Sequence, residues 1–365
     1  MKKLLLAATV ATLAMNAAQA APTLYGKLSV TLDNIDNNGF KDESVTKVNS
    51  NASRIGVKGE EKLTDNLSAV YLIEWQFNAD GDGDQSFSNR NRYVGIKSEG
   101  IGTLKVGQFD SYFKNAAGNN QDIFNDHNEL DMTAILAGED RLKNVIGFET
   151  DKKLLGGLAF NIMFQQGEES EGADSKAKGY EGSRDGFGDG VSASLTYENK
   201  DMGLAAAVAA NRAIASKFNA YSDLTGIYTD AVRVTGSLDL GAMGASGLVL
   251  GALWQTAQPT DDTVTVTKGT PAVVTSYKGL QEDAFGVTAA YKIGATPVKL
   301  KAQYISATTE SDGRDDRKQD LYGVGADYQI NKQARFYGIV AQQKRDWLTK
   351  DDKKTNIGLG MEYNF

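Results

Sequence analysis

Apolar and polar residues alternate one by one in many short segments of this chain. In the segment from 24 to 33, every second residue is apolar or small: Leu24, Gly26, Leu28, Val30 and Leu32. Polar side chains stand between them, among them Lys27, Ser29 and Thr31. Because successive side chains of a β-strand point to opposite faces, this period of two predicts a strand with one apolar and one polar face.

The same period recurs along the chain and predicts sixteen strands. Their predicted positions are near 24 to 33, 53 to 61, 67 to 77, 90 to 98, 102 to 109, 141 to 150, 157 to 166, 191 to 199, 203 to 211, 227 to 240, 247 to 256, 282 to 293, 297 to 306, 319 to 330, 334 to 344 and 355 to 365. The last strand alternates up to a terminal aromatic, Phe365, which is typical of the closing strand of a bacterial outer-membrane barrel. An even strand number places both termini of such a barrel on one side of the membrane.

The predicted connections are of two kinds, short turns and long polar loops. The short ones include Lys62 to Asn66, Asn199 to Met202, Gly241 to Ser246 and Asn331 to Gln333, and the long ones Asn34 to Ala52, Gly167 to Gly190, Gln258 to Gln281 and Ala307 to Lys318. Outer-membrane barrels show this asymmetry, with short periplasmic turns and long extracellular loops. Sixteen strands also leave an aqueous channel. We therefore predict an all-β fold, a 16-stranded antiparallel transmembrane β-barrel.

The amino-terminal segment has the three parts of a secretory signal. Lys2 and Lys3 form a positive region, Leu4 to Ala14 an apolar stretch, and Ala18-Gln19-Ala20 a small-residue cleavage site. The apolar stretch is shorter than the about 20 residues that span a bilayer. We expect residues 1 to 20 to be removed on export and residues 21 to 365 to form a single barrel domain.

Charge and composition exclude several classes of protein. The whole chain has 47 acidic and 39 basic side chains, and signal cleavage would remove two of the basic ones. Nucleic-acid binding is not expected, because neutralising phosphates needs clustered Lys and Arg. The sequence contains no cysteine, so neither disulfides nor thiolate metal sites are expected.

Catalytic and metal chemistry find few candidates. The single histidine, His127, excludes two-histidine metal sites, and its polar surroundings predict a solvated loop residue. No G-x-S-x-G nucleophile elbow is present. The acidic run Asp80 to Asp84 departs from a calcium loop, because Gln85 and Asn91 stand where that loop needs Gly and Glu. We therefore expect no enzyme activity, no cofactor and no metal.

Charged residues gather around the connection that follows the fifth predicted strand. This connection, Asp110 to Asp140, contains the acids Asp110, Asp122, Asp126, Glu129, Asp131, Glu139 and Asp140. Arginines occur at the ends of neighbouring strands, at Arg54, Arg90, Arg92 and Arg141. If the loop folds into the lumen, its acids face these arginines and narrow the pore. If it points outward, the same residues are ordinary charges of the rim.

Three segments resemble the Gram-negative general diffusion porins. They are Ser53 to Phe77, Arg90 to Asp110 and the terminal strand. The first contains R-I-G-V-K-G-E followed by an L-x-x-x-Y-x-x-E-W strand, a rather specific combination. The resemblance extends over essentially all of residues 21 to 365, although the middle agrees only in pattern.

The resemblance implies a homotrimer in which each subunit has its own channel, narrowed by an inward-folded third extracellular loop. It assigns Arg54, Arg90 and Arg141 to a basic wall. Because the fourth predicted strand alternates poorly, its residues leave open whether Arg90 or Arg92 points inward. Asp122 and Asp126 fall where the constriction acids of the family lie. The loop reads Q-D-I-F-N-D-H-N-E-L-D rather than P-E-F-G-G, so Glu129 and Asp131 are further candidates for the acids that face the pore.

The predicted function is passive diffusion of ions and small hydrophilic solutes through a channel in the outer membrane of a Gram-negative bacterium. The excess of acids predicts a weak preference for cations. Expected partners are further copies of the chain, outer-membrane lipid and lipopolysaccharide, and the solutes themselves, with no nucleic acid. The alternative is a substrate-specific channel for sugars, acidic compounds or amino acids. An adhesin would need an appended globular domain, which the strand pattern does not predict.

Overall fold

The computed structural model describes residues 21–83, 87–168, 179–180, 183–268 and 272–365, and its regular structure is almost entirely β. The strands are β1 Thr23–Asp36, β2 Val45–Ser50, β3 Arg54–Lys62, β4 Leu67–Gln76, β5 Ser88–Ser98, β6 Gly102–Asp110, β7 Arg141–Thr150, β8 Leu158–Gln165, β9 Gly190–Asn199, β10 Leu204–Lys217, β11 Thr225–Asp239, β12 Leu248–Pro259, β13 Thr263–Lys268, β14 Val273–Lys278, β15 Gln281–Lys292, β16 Val298–Glu310, β17 Arg317–Gln329, β18 Ala334–Arg345 and β19 Lys353–Asn364. The predicted signal peptide lies outside the described residues. In the described part of the chain, no helix is both long and apolar enough to span a membrane.

The sheet closes into a barrel of sixteen strands, as predicted. Each strand pairs antiparallel with its neighbours, and β1 completes the ring by pairing with β19, with Leu28 opposite Tyr363. β2 and β3 both pair with β1 and together form the second strand of the ring. The residues between them, 51–53, interrupt it, and Ala52 there has a left-handed backbone with φ 49°. Closure removes the free edges that an open sheet would expose.

Two of the predicted loops contain strands. β2 lies within the predicted connection Asn34 to Ala52, and the hairpin of β13 and β14 lies within Gln258 to Gln281. The hairpin forms a separate two-stranded sheet outside the ring. Thr and Val alternate in β13 as they do in a wall strand, but this strand is short. Its Val264 packs in a buried apolar cluster with Phe218 and Tyr277 instead of facing lipid.

The two faces of the wall differ as the period of two requires. In β1, Leu24 on the outer face is 60% exposed, whereas Lys27 on the inner face is 7% exposed. Apolar side chains thus cover the outside of the ring, and polar side chains line the inside.

The inside of the barrel is partly filled by the segment 111–140, here called loop 3. It contains two short helices, α1 Tyr112–Asn115 and α2 Gly118–Gln121, and a 3-10 turn at Met132–Ala134. Gln303 of β16 donates from Nε2 to the carbonyl of Leu130 at 2.6 Å. Leu130, Ile135 and Leu136 of the loop belong to a buried apolar cluster with the wall residues Leu253, Ile305 and Leu321. Loop 3 therefore folds into the lumen.

Candidate functional site

A cavity of about 540 Å³ lies between loop 3 and the wall formed by β3 to β7. We call it the charged cavity, because its lining includes Arg54, Glu74, Arg90, Asp110, Lys114, Asp122, Asp126, Asp131 and Arg141. A second cavity, of about 500 Å³, lies on the other side of loop 3 against β7 to β11. Asn115, Gly118 and Asn119 line both cavities, so the two spaces meet at this stretch of the loop.

Asp126 is the point at which loop 3 contacts the basic wall. Its carboxylate lies 2.7 Å from Nζ of Lys27, 2.8 Å from Nη2 of Arg54 and 3.7 Å from Nη2 of Arg90. Burial alone would raise the pKa of this carboxyl, but Arg54 and Lys27 outweigh burial and hold the pKa at about 2. Asp126 therefore remains ionised throughout the neutral and mildly acidic range.

A wall carboxylate, Glu74 of β4, neutralises part of the same arginine cluster. Nε of Arg90 lies 2.5 Å from Glu74, Nε of Arg54 lies 3.8 Å from it, and the hydroxyl of Tyr25 donates to it at 2.9 Å. Glu74 was not among the predicted site residues. The sequence nevertheless marks it, because it is the single carboxylate of an otherwise largely apolar strand.

Arg141, at the start of β7, binds a separate pair of residues. Its Nε donates to Oδ1 of Asn91 at 2.6 Å, and its Nη2 lies 3.1 Å from Asp110. Asp110 also lies 3.6 Å from Nζ of Lys114 in α1. Arg141 thus ties the start of β7 to β5 and to the end of β6, beside the cluster around Asp126.

Arg92 does not join the cluster, and here the predicted basic wall is corrected. Between the pairs Ile73–Arg92 and Trp75–Asn89, β5 has one residue more than β4. This bulge reverses the alternation, so that Arg90 turns into the lumen. Arg92 keeps the phase of the exposed outer residues Val94 and Ile96 and donates to Gln108 at 3.2 Å.

The remaining predicted acids occupy different places. Asp131 accepts the backbone N–H groups of Asp126 and Thr133, at 2.8 and 2.9 Å, and so shapes the loop around Asp126. Asp122 lines the charged cavity and accepts a hydrogen bond from Asn125. Burial, followed by the nearby charge of Asp131, holds the pKa of the Asp122 carboxyl well above its usual range.

Glu129 is not among the residues that line the charged cavity. Its carboxylate lies 2.5 Å from Nζ of Lys354 in β19, which fastens the far side of loop 3 to the wall. It is an anchor of the loop rather than an acid that faces this cavity.

His127 is buried, so the expectation of a solvated loop residue is wrong. Its side chain is 5% exposed and packs edge to face against Tyr337, with ring centroids 6.3 Å apart. Its Nδ1 accepts the backbone N–H of Glu129 at 3.2 Å. Among the described residues, no group of three or more His, Asp or Glu side chains is arranged to hold a metal ion.

A row of alternating charges on β16 to β19 continues the wall beyond Lys27. Asp327 lies 3.1 Å from Lys301 and 2.9 Å from Arg335, and Arg335 lies 2.9 Å from Glu362. Nζ of Lys301 also donates to the carbonyl of Ile123 in loop 3 at 3.3 Å. The sequence could have indicated these residues only through their position on the polar, inward face of each strand.

Comparison with known proteins agrees with this architecture. A family model described as Gram-negative porin matches residues 6–347. The major outer membrane protein P.IB of Neisseria sicca is 26% identical, with the alignment covering all of both chains. The protein of that name from Neisseria meningitidis serogroup A is 32% identical over 171 residues, 45% of this chain and 50% of that protein.

Solved structures share the fold at lower identity. An anion-selective porin from Comamonas acidovorans superimposes with a TM-score of 0.67 at 16% identity, covering 95% of this chain and all of that one. OmpF of Salmonella typhi, in complex with daunomycin, gives 0.64 at 17% identity, with coverage of 94% and 97%. The trimer form of OmpT from Vibrio cholerae gives 0.63 at 17% identity, with coverage of 95% and 99%.

Proposed function

Because this chain belongs to the Gram-negative porin family and forms a diffusion channel of the outer membrane, we propose that loop 3 is the constriction of that channel. The observation that carries the proposal is the position of Asp126, a loop residue whose carboxylate reaches Lys27 and Arg54 on the barrel wall. Every solute that passes the charged cavity moves between this loop and that wall. The spacing between them then limits the size of the solutes, and their fixed charges bias the choice of ion.

The charges of the cavity support a weak preference for cations. Four basic side chains line it, Arg54, Arg90, Lys114 and Arg141, against five acidic ones, Glu74, Asp110, Asp122, Asp126 and Asp131. Because most of these groups are paired at close range, their long-range fields largely cancel. When Asp122 is ionised, the small excess of acids gives the sign of the preference. The relative from Comamonas acidovorans is described as anion-selective, so this sign distinguishes two channels of one fold.

Conductance in planar bilayers tests the assignment. We expect purified protein to form open channels whose reversal potential in a KCl gradient has the cation-selective sign. The variant Asp122→Asn/Asp126→Asn should shift that potential toward anions, because it removes two cavity carboxylates. Asp65→Asn is the matched control, since it removes an exposed carboxylate in the short turn between β3 and β4. Equal potentials for all three proteins would refute the constriction assignment, and an anion-selective wild type would refute the sign.

We extend the proposal to the assembly and infer a homotrimer with one channel in each subunit. The support is the trimer form of the structural relative OmpT. Native electrophoresis and light scattering of the detergent-extracted protein test it. A monomer at all protein concentrations that retains channel activity contradicts it.

A substrate-specific channel remains the second candidate, and the second cavity favours it. Its lining is rich in amide and hydroxyl side chains, among them Asn119, Asn161, Ser194, Thr196 and Thr235. Such groups bind uncharged polyols through hydrogen bonds. Liposome swelling separates the two readings: a general channel admits neutral sugars in order of size alone, whereas a specific one saturates with one of them.

A further inference from the structure

We propose that Arg233 of β11 is the positioning residue that fixes loop 3 across the lumen, acting from outside the conducting path. The inference rests on the proposed role of loop 3 as the constriction. Arg233 has 0% of its surface exposed and lines neither of the two cavities. It therefore contacts no solute, and its influence on conduction passes through the loop.

The guanidinium of Arg233 holds both arms of loop 3 at once. On the first arm, which follows β6, Nη1 donates to the carbonyl of Phe113 at 3.3 Å. The guanidinium carbon lies 4.3 Å from the centre of the Phe113 ring. On the second arm, which leads into β7, Nη2 lies 2.5 Å from the carboxylate of Glu139. Nε and Nη2 both donate to Oε1 of Gln255 in β12, at 3.0 and 2.5 Å. These two hydrogen bonds orient the guanidinium group.

Neighbouring wall residues extend the same attachment. Gln255 donates from Nε2 to the carbonyl of Ala137 at 3.0 Å, and Thr235 donates to the carbonyl of Ala116 at 2.7 Å. Gly138 has a φ of +85°, and an added Cβ would collide with the ring of Phe113 on the other arm. The two arms are thus packed against each other at the place where Arg233 joins them.

The chemistry of arginine explains the choice of residue. Its planar fork presents donors in several fixed directions, whereas a lysine offers one compact charge on a flexible stem. Three partners in different directions, Phe113, Glu139 and Gln255, need such a fork. A buried charge pair that loses one partner leaves an uncompensated charge, which is strongly unfavourable.

The test compares four variants in planar bilayers, each first shown to be folded by its β-sheet circular dichroism and its heat-dependent electrophoretic mobility. Arg233→Met/Glu139→Gln removes both charges of the pair, so neither partner is left buried without the other, and it is the variant best able to fold. Arg233→Lys keeps the charge without the fork. Arg212→Met, an exposed arginine on the adjacent strand β10, is the control. Asp126→Asn reports on the constriction itself.

We expect the double variant to show open-channel current transitions at least about tenfold more frequent than wild type, together with weakened ion selectivity. A tenfold change corresponds to about 1.4 kcal/mol. Arg233→Lys should lie between wild type and the double variant, and Arg212→Met should match wild type.

The possible outcomes separate the two proposals. Wild-type noise and selectivity in the folded double variant, together with an altered Asp126→Asn channel, would overturn the role of Arg233 and leave the constriction in place. Unchanged selectivity in Asp126→Asn would overturn the constriction. Full wild-type behaviour of Arg233→Lys would overturn the requirement for the fork.

Discussion

Loop 3 is held at two places by opposite kinds of electrostatics. At its tip, Asp126 meets Lys27 and Arg54 beside a water-filled cavity. At its base, Glu139 meets Arg233 in a site closed to water, where Phe113 and Gln255 complete the shell. Charges beside water are screened and can select ions, whereas buried charges fix geometry and depend strongly on their partners. The tip of loop 3 thus acts on ion selectivity, whereas its base fixes the position of the loop.

The largest effect is expected from breaking the base on one side only. Glu139→Leu leaves Arg233 buried without its carboxylate, and we expect a loss of about 3 to 5 kcal/mol in the free energy of unfolding. Urea unfolding in detergent micelles, followed by tryptophan fluorescence, measures it. Arg233→Met/Glu139→Gln should recover most of this loss, because neither charge of the pair is left without its partner. A Glu139→Leu protein as stable as wild type would mean that the base is not the rigid end.

Breaking the tip should cost less stability and change conduction more. Asp126→Asn retains hydrogen bonding but removes the negative charge between Lys27 and Arg54, and we expect a loss of about 1 to 3 kcal/mol. The reversal potential should move toward anions, because the basic wall is left without its carboxylate from the loop. The same unfolding and bilayer measurements apply. A larger stability loss than for Glu139→Leu would invert the comparison.

Acid should act on the tip in two separate ranges. The Asp122 carboxyl has a raised pKa, so it is protonated at low pH and ionises at a higher pH than an ordinary aspartate. Cation preference should therefore rise with pH, and Asp122→Asn should flatten that rise. Asp126, with its pKa lowered to about 2, contributes stability that is present above the ordinary aspartate pKa and is lost as pH falls toward 2. Reversal potentials measured between about pH 3 and pH 8, a range that begins below the ordinary pKa of aspartate, check the statement on Asp122.

Salt gives the smallest effect and separates the two ends cleanly. Raising KCl from about 0.1 M to 1 M shortens the Debye length from about 10 Å to about 3 Å. Ion selectivity, which depends on charges facing the charged cavity, should weaken at constant salt ratio. The frequency of current transitions, which we assign to the base, should stay nearly constant. A parallel change in both quantities would show that both ends are equally open to water.

The sequence determined the wall of the barrel in considerable detail. All sixteen strands of the ring occur where the period of two predicted them, because one face of each must be apolar toward lipid and the other polar toward the lumen. The exception is β2, the part of the second strand that lies in a predicted loop. Arg54 follows this rule directly. The rule fails at β5. A bulge there, which the residue types do not indicate, turns Arg90 inward and leaves Arg92 outside.

The interior of the channel was decided by tertiary structure. The sequence marked the acids of loop 3, but only the fold shows Asp126 on the basic wall, Glu129 on Lys354 and His127 buried against Tyr337. Arg233 and Glu139 are 94 residues apart, and no local pattern connects them. The period of a strand is a local property that each segment carries by itself. Which side chains meet across the lumen depends on closure of the ring and on the path of one loop inside it, and these exist only when the whole chain has folded.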